Sequence, residues 1–224
     1  MSKQLKLAAR ESLQGRWGFM ALMMLLFLII QGVPNGFASS PEEDFQFIDL
    51  IGMLLTVLTL PVAMGWSWLA LSVARDEQTK VADLFEPYKM FLKAIGVSIV
   101  QTFFLGLWFL LFIIPGIIKS FSYMLTYYII RDEPSIGILD AITRSRQMMD
   151  GHKKEAFFLV LSFIGWFLLG IITLGIGFLW IGPYFSVTIA KFYDRVRGEE
   201  VSTTGHRTAM MDANHNDSPF VSPE

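Results

Sequence analysis

Charged residues in this chain gather in short islands, and long uncharged stretches run between them. A helix needs about 20 apolar residues to cross roughly 30 Å of hydrocarbon. Four uncharged runs reach that length. The first, Trp17 to Pro41, has an apolar core from Trp17 to Val33 that ends at Pro34, Asn35 and Gly36. The others are Leu50 to Ala74, Ala94 to Ile118, and Ala156 to Ala190. The last is too long for one crossing and suits two short helices, at about 156–171 and 176–193, with a turn at Thr173, Leu174 and Gly175. Residues 120–130 are uncharged but too few to span alone. Pro115 and Gly116 form a breaker pair, so the third helix is expected to end near Ile114 and residues 117–131 to return across the bilayer. Lys119 would then snorkel its ammonium to the nearby surface. The alternative is one long helix followed by an interfacial piece.

The distribution of basic residues chooses between these readings. With the N-terminus in the cytoplasm and six crossings, the cytoplasmic segments hold Lys3, Lys6, Arg10 and Arg16, then Arg75, Lys80, Lys89 and Lys93. They also hold Arg131, Arg144, Arg146, Lys153 and Lys154, then Lys191, Arg195, Arg197 and Arg207. Lys119 is the exception. The first outer loop, 34–49, has no Lys or Arg and carries Glu42, Glu43, Asp44 and Asp49. A five-span arrangement would put the basic 131–154 island outside. The expected fold is therefore all-α, a polytopic membrane bundle of six transmembrane helices in three hairpins, with amphipathic cytoplasmic helices. Residues 1–197 form one transmembrane domain, and 198–224 a polar, disordered cytoplasmic tail. The expected location is the plasma membrane, multi-pass, with both termini cytoplasmic. Residues 1–38 also have the outline of a leader peptide, which polytopic proteins usually keep as a signal anchor. Because the chain has no Cys, single cysteines at Ser40 and Ser145 would report the two sides.

Each cytoplasmic island precedes a pair of crossings, and the islands share features. Arg75-Asp76-Glu77 matches Arg131-Asp132-Glu133 at the inner end of a span, and Arg10 precedes Gly15 at the spacing of Arg146 and Gly151. FFLGLWFLL around Trp108 is similar to FIGWFLLG around Trp166. The implied unit is an amphipathic helix plus a hairpin, used three times. Val81, Leu84, Phe85, Tyr88 and Leu92 have helical spacing, although Pro87 should kink or divide that helix. Ile138, Leu139, Ile142 and Met149 share another face, Asp140 and Arg144 stand at i,i+4, and Gly151 sits where the helix would stop.

Composition agrees with a membrane class. The chain is 53% hydrophobic and 17% charged, against about 25% charged in soluble domains. Its net charge of -2 gives no reason to expect nucleic acid as a partner. No Asp, Glu, His or Arg falls inside a predicted crossing, whereas ion-coupled transport normally needs one. Gly65 and Ser67 make a Gly-x-Ser within a span that contains no histidine to activate the serine. Tyr193 and Asp194 sit at an inner helix end without a second aspartate in the sequence nearby. His152, His206 and His215 lie outside the spans, with no zinc-peptidase spacing around them. No catalytic, cofactor-binding or metal-binding residue is therefore expected, and no enzyme activity. Gly52, Gly65, Gly96, Gly106, Gly165 and Gly170 are read as points of close helix approach, and Pro61 and Pro183 as tolerated prolines. Trp17, Trp66, Trp68, Trp108, Trp166 and Trp180 suit interface belts or helix packing.

Three ordered segments carry a resemblance: IIPGIIKSFSYMLTYYIIRDEP, AITRSRQMMDGHKKEAFFLVLSFIGWFLL and TLGIGFLWIGPYFSVTIAKFY. In them the chain resembles the bacterial membrane proteins grouped as domain of unknown function 975, common in Firmicutes, over most of residues 5–195. The matching positions are Pro115, Gly116, Lys119 and Ser120, then Ser145, Gly151 and Trp166, then Pro183, Tyr184, Phe192 and Tyr193. The resemblance implies a multi-span plasma-membrane protein and supplies no reaction. The expected function is binding of lipid, with anionic lipids favoured by the basic islands, or of a membrane-protein partner. The alternative is a small-molecule permease of three hairpins, with a polar cavity lined by residues such as Gln101, Thr102, Ser122 or Ser162.

Overall fold

The computed structural model describes residues 2–37 and 47–216, and every regular element among them is helical. Helix α1 (Ser2–Ser12) meets α2 (Trp17–Gly32) at 97°. Gly15, in the turn between them, has φ +75°, a conformation that carries a steric cost for residues with a Cβ. Past it, α1 lies across the end of the bundle and buries Leu5, Ala9 and Ser12, the stripe expected of an amphipathic helix. Gly151 has φ +82° at the corresponding place before a later helix, so the Arg10…Gly15 and Arg146…Gly151 spacing marks one backbone device used twice.

A 3₁₀ turn, Val33–Phe37, closes α2 and is followed by α3 (Phe47–Ala74). Val81–Met90 forms a run of 3₁₀ turns leading directly into α4 (Phe91–Leu111). Then come α5 (Ile113–Tyr123), α6 (Thr126–Asp132), α7 (Ile138–Met148), α8 (Lys153–Leu161), α9 (Ile164–Ile172) and α10 (Phe178–Asn216). Helix α10 thus continues through 198–216, part of the segment expected to be a disordered tail; 217–224 lie outside the described residues.

Four helical stretches are long and apolar enough to cross a membrane: Phe47–Ala74, Val81–Leu111, Ile113–Asp132 and Lys153–Ile172. The bent α1–α2 pair makes a fifth if counted as one span. Six is not reached on length. Helix α2 has 16 residues, about 24 Å, and the uncharged part of α10 ends at Ala190, before Lys191.

The turn after α9 falls at Thr173–Gly175 as expected. The earlier turn does not fall at Pro115-Gly116. Helix α4 stops at Leu111, Phe112 is extended (φ -158°, ψ 142°), and Pro115 lies in the first turn of α5. Proline lacks an N–H, and the first turn of a helix has no intrahelical use for one, so the residue read as a stop opens the returning helix. Pro61 and Pro183 both sit inside continuous helices.

The core is concentrated at the charged end. From Pro61 onward α3 is almost wholly buried, with Val62, Met64, Leu69, Leu71 and Val73 at 0% exposure. Leu50, Met53 and Leu54 in its first half are exposed. Packed against the buried half are Met20 and Met23 of α2, Leu125 and Ile129 at the start of α6, and Val187, Ala190 and Phe192 of α10. Gly65 matters here because a Cβ on it would collide with the backbone carbonyl of Leu84. Glycine therefore lets the 3₁₀ run lie directly on α3. Gly106 and Gly165 face open space, so close approach does not explain them.

The amphipathic segments seat differently from expectation. Within Val81–Met90 the buried residues are Leu84 and Pro87, while Val81 and Phe85 stay exposed, as does Leu92 just beyond. The spacing has become three, because the 3₁₀ helix around Pro87 has three residues per turn. In α7 the buried set is Ala141, Ile142, Ser145 and Met148, followed by Met149. Leu139 points outward at 60% exposure.

Candidate functional site

Two charged features stand at the basic end of the bundle. The first is made by the repeated Arg-Asp-Glu triplets, which interlock. Arg75 donates through Nη1 and Nη2 to both oxygens of Asp132, at 2.7 and 2.8 Å. Arg131 donates to Glu77 at 2.7 Å, to Ser72 Oγ at 2.6 Å and to the Trp68 carbonyl at 2.5 Å. Each triplet thus supplies the cation for the other's carboxylate. Asp76 adopts φ +59°, and its carbonyl and that of Glu77 accept from Arg16 at 3.3 and 2.8 Å. A cation is favourable at that place, since the C-terminus of α3 carries partial negative charge.

Helix α10 completes the cluster. Asp194 accepts from Arg75 at 2.6 Å, Tyr193 donates to Asp132 at 2.9 Å, and Arg197 donates to Asp132 at 2.6 Å. The aspartate that Tyr193 and Asp194 lack in sequence is therefore supplied from α6. Asp132 is 9% exposed and accepts from Arg75, Tyr193 and Arg197, which uses the lone-pair directions of a carboxylate. Hydrogen bonding to Asp132, with Asp194 beside it, holds the Arg75 guanidinium well above its usual pKa in spite of burial. This cluster fastens α3, α6 and α10 together. Nearby, Arg195 pairs bidentately with Glu155, tying α10 to α8.

Buried polar side chains also mend the helix breaks. Ser145 accepts from the Leu125 amide at 3.2 Å and donates to the Ser122 carbonyl at 2.8 Å, across the gap between α5 and α6. It has 0% exposure, so a cysteine there would be shielded from an impermeant reagent on either side and Ser145 is a poor reporter of topology. Lys6 Nζ donates to the Ser162 carbonyl at 2.8 Å, at the α8–α9 break, and lies 4.2 Å from the Phe163 ring centroid. Burial lowers the pKa of its ammonium.

The second feature is a basic cleft. Lys119, Arg146 and Lys153 line a cavity of about 300 Å³ together with Ser122, Gln147 and Asp150. Lys119 and Arg146 also line an adjoining cavity of about 390 Å³, bounded mainly by the apolar side chains of Phe104, Leu107, Trp108, Leu139 and Ile142, with Tyr123 and Thr143. The Lys119 ammonium lies 4.6 Å from the centroid of Trp108, within cation–π range. Lys119, expected to snorkel to the nearby surface, stands among cations of the 131–154 island. The cause is α7, which docks on α5 through Ser145 and brings Arg146 with it. Asp150 is the one acidic residue in the lining and lies 3.6 Å from Lys153. Arg144, expected opposite Asp140, is 3.6 Å from Glu133.

A third cleft, of about 330 Å³, is lined by Trp17, Trp166, Trp180, Ile181 and Tyr184 with Arg10. Trp66 and Trp68 are helix-packing residues, donating to Ser186 and to the Tyr127 carbonyl, both at 2.8 Å.

The family described as "Protein of unknown function (DUF975)" matches residues 1–121 and 109–200. The chain belongs to this family. No curated protein and no solved structure matches the DUF975 chain. Among its residues with a family resemblance, Ser145 bridges the α5–α6 break, Tyr193 binds Asp132, and Lys119 lines the basic cleft. Sequence reasoning found the triplets but not their partners, which lie 54 to 119 residues away along the chain. No group of three or more His, Cys, Asp or Glu able to hold a metal occurs among the described residues. The polar residues considered for a permease are largely engaged locally: Ser122 with the Ile118 carbonyl, Ser162 with that of Leu159, and Gln101 Nε2 with that of Tyr123.

Proposed function

We propose that this DUF975 chain is a non-enzymatic, multi-pass plasma-membrane protein that binds anionic lipid in the basic cleft of Lys119, Arg146 and Lys153. The helices would form three pairs, α2–α3, α4–α5/α6 and α8/α9–α10, each leaving and re-entering the cytoplasmic side, with both termini in the cytoplasm. The observation that carries the reading is the cleft itself. Three cations meet one carboxylate in a cavity that adjoins a mainly apolar groove containing Trp108. A phosphate oxygen relieves the mutual repulsion of the cations, and the groove beneath suits an acyl chain. The position of Lys119 beside Arg146 and Lys153 also supports the orientation, since the single exception to the sidedness of the basic residues joins the others.

The test is lipid retention by the purified protein, read by native mass spectrometry with phosphatidylglycerol and phosphatidylcholine. With about 1 kcal/mol per basic residue near a charged headgroup, Lys119→Ala combined with Arg146→Ala should weaken phosphatidylglycerol retention by on the order of tenfold or more. Equal retention of the two lipids by the unaltered protein, or no change in the double variant, would count against the site. A permease is the second reading because a buried polar atom of α4, Gln101 Oε1, has no hydrogen-bond partner among the described residues. Solute flux in proteoliposomes that falls in Gln101→Leu would favour it.

A further inference from the structure

The turn between α9 and α10 has an unusual combination of features. Apart from Thr173, its exposed side chains are apolar, with Leu174 at 93%, Ile172 at 76%, Ile171 at 64% and Ile176 at 63%. Its backbone amides are nonetheless all used within the turn. Thr173 N–H donates to the Leu169 carbonyl, Leu174 to Ile171, Gly175 to Gly170, Ile176 to Thr173, Phe178 to Gly175, and Leu179 to Ile176, all within 2.9–3.2 Å. The remaining amide, Gly177 N–H, donates to Thr173 Oγ1 at 2.9 Å, and that hydroxyl turns to the Gly170 and Leu169 carbonyls at 2.9 and 3.1 Å. Two consecutive left-handed residues, Leu174 (φ 54°) and Gly175 (φ +90°), make this closure possible. A turn in water needs no such economy, because water satisfies loop amides. In hydrocarbon each unsatisfied amide costs several kcal/mol.

The lengths agree. From the turn, α10 runs from Phe178 to Ala190 before reaching Lys191, roughly 20 Å of helix. The outgoing stretch Lys153–Ile172 would reach roughly 30 Å as one straight helix, but it breaks between α8 and α9 and its uncharged part, from Ala156, covers roughly 25 Å. The hydrocarbon core is about 30 Å thick. Both limbs are anchored at the same level by the Glu155–Arg195 pair, so neither can shift to lengthen the other.

We propose that the Thr173–Gly177 turn is a lipid-immersed surface, in contact with acyl chains of the leaflet far from the basic end. On this assignment α8/α9 and α10 enter and leave the bilayer through one face. The inference rests on the membrane reading given above and deepens it, since a pair that turns inside the bilayer keeps the same sidedness of charge as one that crosses twice.

The cysteine-free full-length chain allows a direct test in native membranes. Leu174→Cys should resist an impermeant maleimide in intact cells and in inverted vesicles and react once detergent is added. With Ile176→Cys as a second variant, a nitrobenzoxadiazole label at either position in vesicles of phosphatidylcholine and phosphatidylglycerol should be quenched by doxyl groups on the acyl chains more than by aqueous iodide. Thr173→Val should lower the thermal midpoint in nanodiscs while Thr173→Ser keeps it, because only in a dry site does the Gly177 amide lose its partner without replacement. Labelling of Leu174→Cys from either side at the rate of an aqueous position, or equal midpoints for the valine and serine variants, overturns the proposal. Ser40→Cys and Ser135→Cys report the orientation separately. Labelling of Ser135→Cys but not Ser40→Cys in intact cells overturns the cytoplasmic assignment while Leu174→Cys still decides the turn.

Discussion

At one end of the bundle α3, α6 and α10 converge on Arg75, Asp132, Tyr193 and Asp194, with almost no apolar residue exposed between them. At the other end the helix tips carry Leu110, Phe112, Ile113, Ile114, Ile172 and Leu174, all more than two-thirds exposed. The contrast teaches how a membrane bundle divides its work. Lipid tails are as apolar as leucine, so packing leucine against leucine gains little there, and association rests on close fit and on polar contacts. This chain gathers its polar contacts at one end and leaves its tips as exposed apolar surface.

That division can be broken at several points. Asp132→Ala removes the carboxylate shared by Arg75, Tyr193 and Arg197; Arg75 keeps Asp194 and both arginines are partly exposed, so the loss falls at the low end of the about 3–5 kcal/mol for breaking a buried ion pair. A thermal melt in nanodiscs should show the largest loss of any variant considered. A melt unchanged from the parent would mean that the ionic end does not hold the helices. Gly65→Ala puts a methyl group into the Leu84 carbonyl, and overpacking of this kind costs about 1–3 kcal/mol. The same melt reads it. Gly106→Ala, in a helix with open space around it, should instead gain about 0.5–1 kcal/mol through lower unfolded-state entropy. Any loss there would reveal a contact at the tip of the bundle. Leu110→Ala, at 82% exposure, should change stability by less than about 0.5 kcal/mol. A larger loss would show that the exposed tips pack against protein and not lipid.

Particular residues show why some of this was legible and some was not. Gly15 and Gly151 were readable because a left-handed turn between an amphipathic stretch and an apolar run has few solutions other than glycine. Pro115 was misplaced by three residues because proline stops one helix and starts another with equal chemical ease. The 3₁₀ spacing at Leu84 and Pro87 was hidden because a few apolar residues fit a period of three as readily as 3.6. Lys119 was expected to snorkel to the nearby surface because nothing local announces that α7 will dock on α5.

The sequence by itself determined that the chain is helical, apolar in its runs and basic in its islands, since hydropathy and charge act through solvent and need no knowledge of neighbours. Only the tertiary structure decided which triplet answers which, that Asp132 completes the site of Tyr193 and Asp194, and that Lys119, Arg146 and Lys153 share one cleft. Ion pairs and clefts depend on distance in space, and residues sixty apart in the chain become neighbours only once the helices have packed.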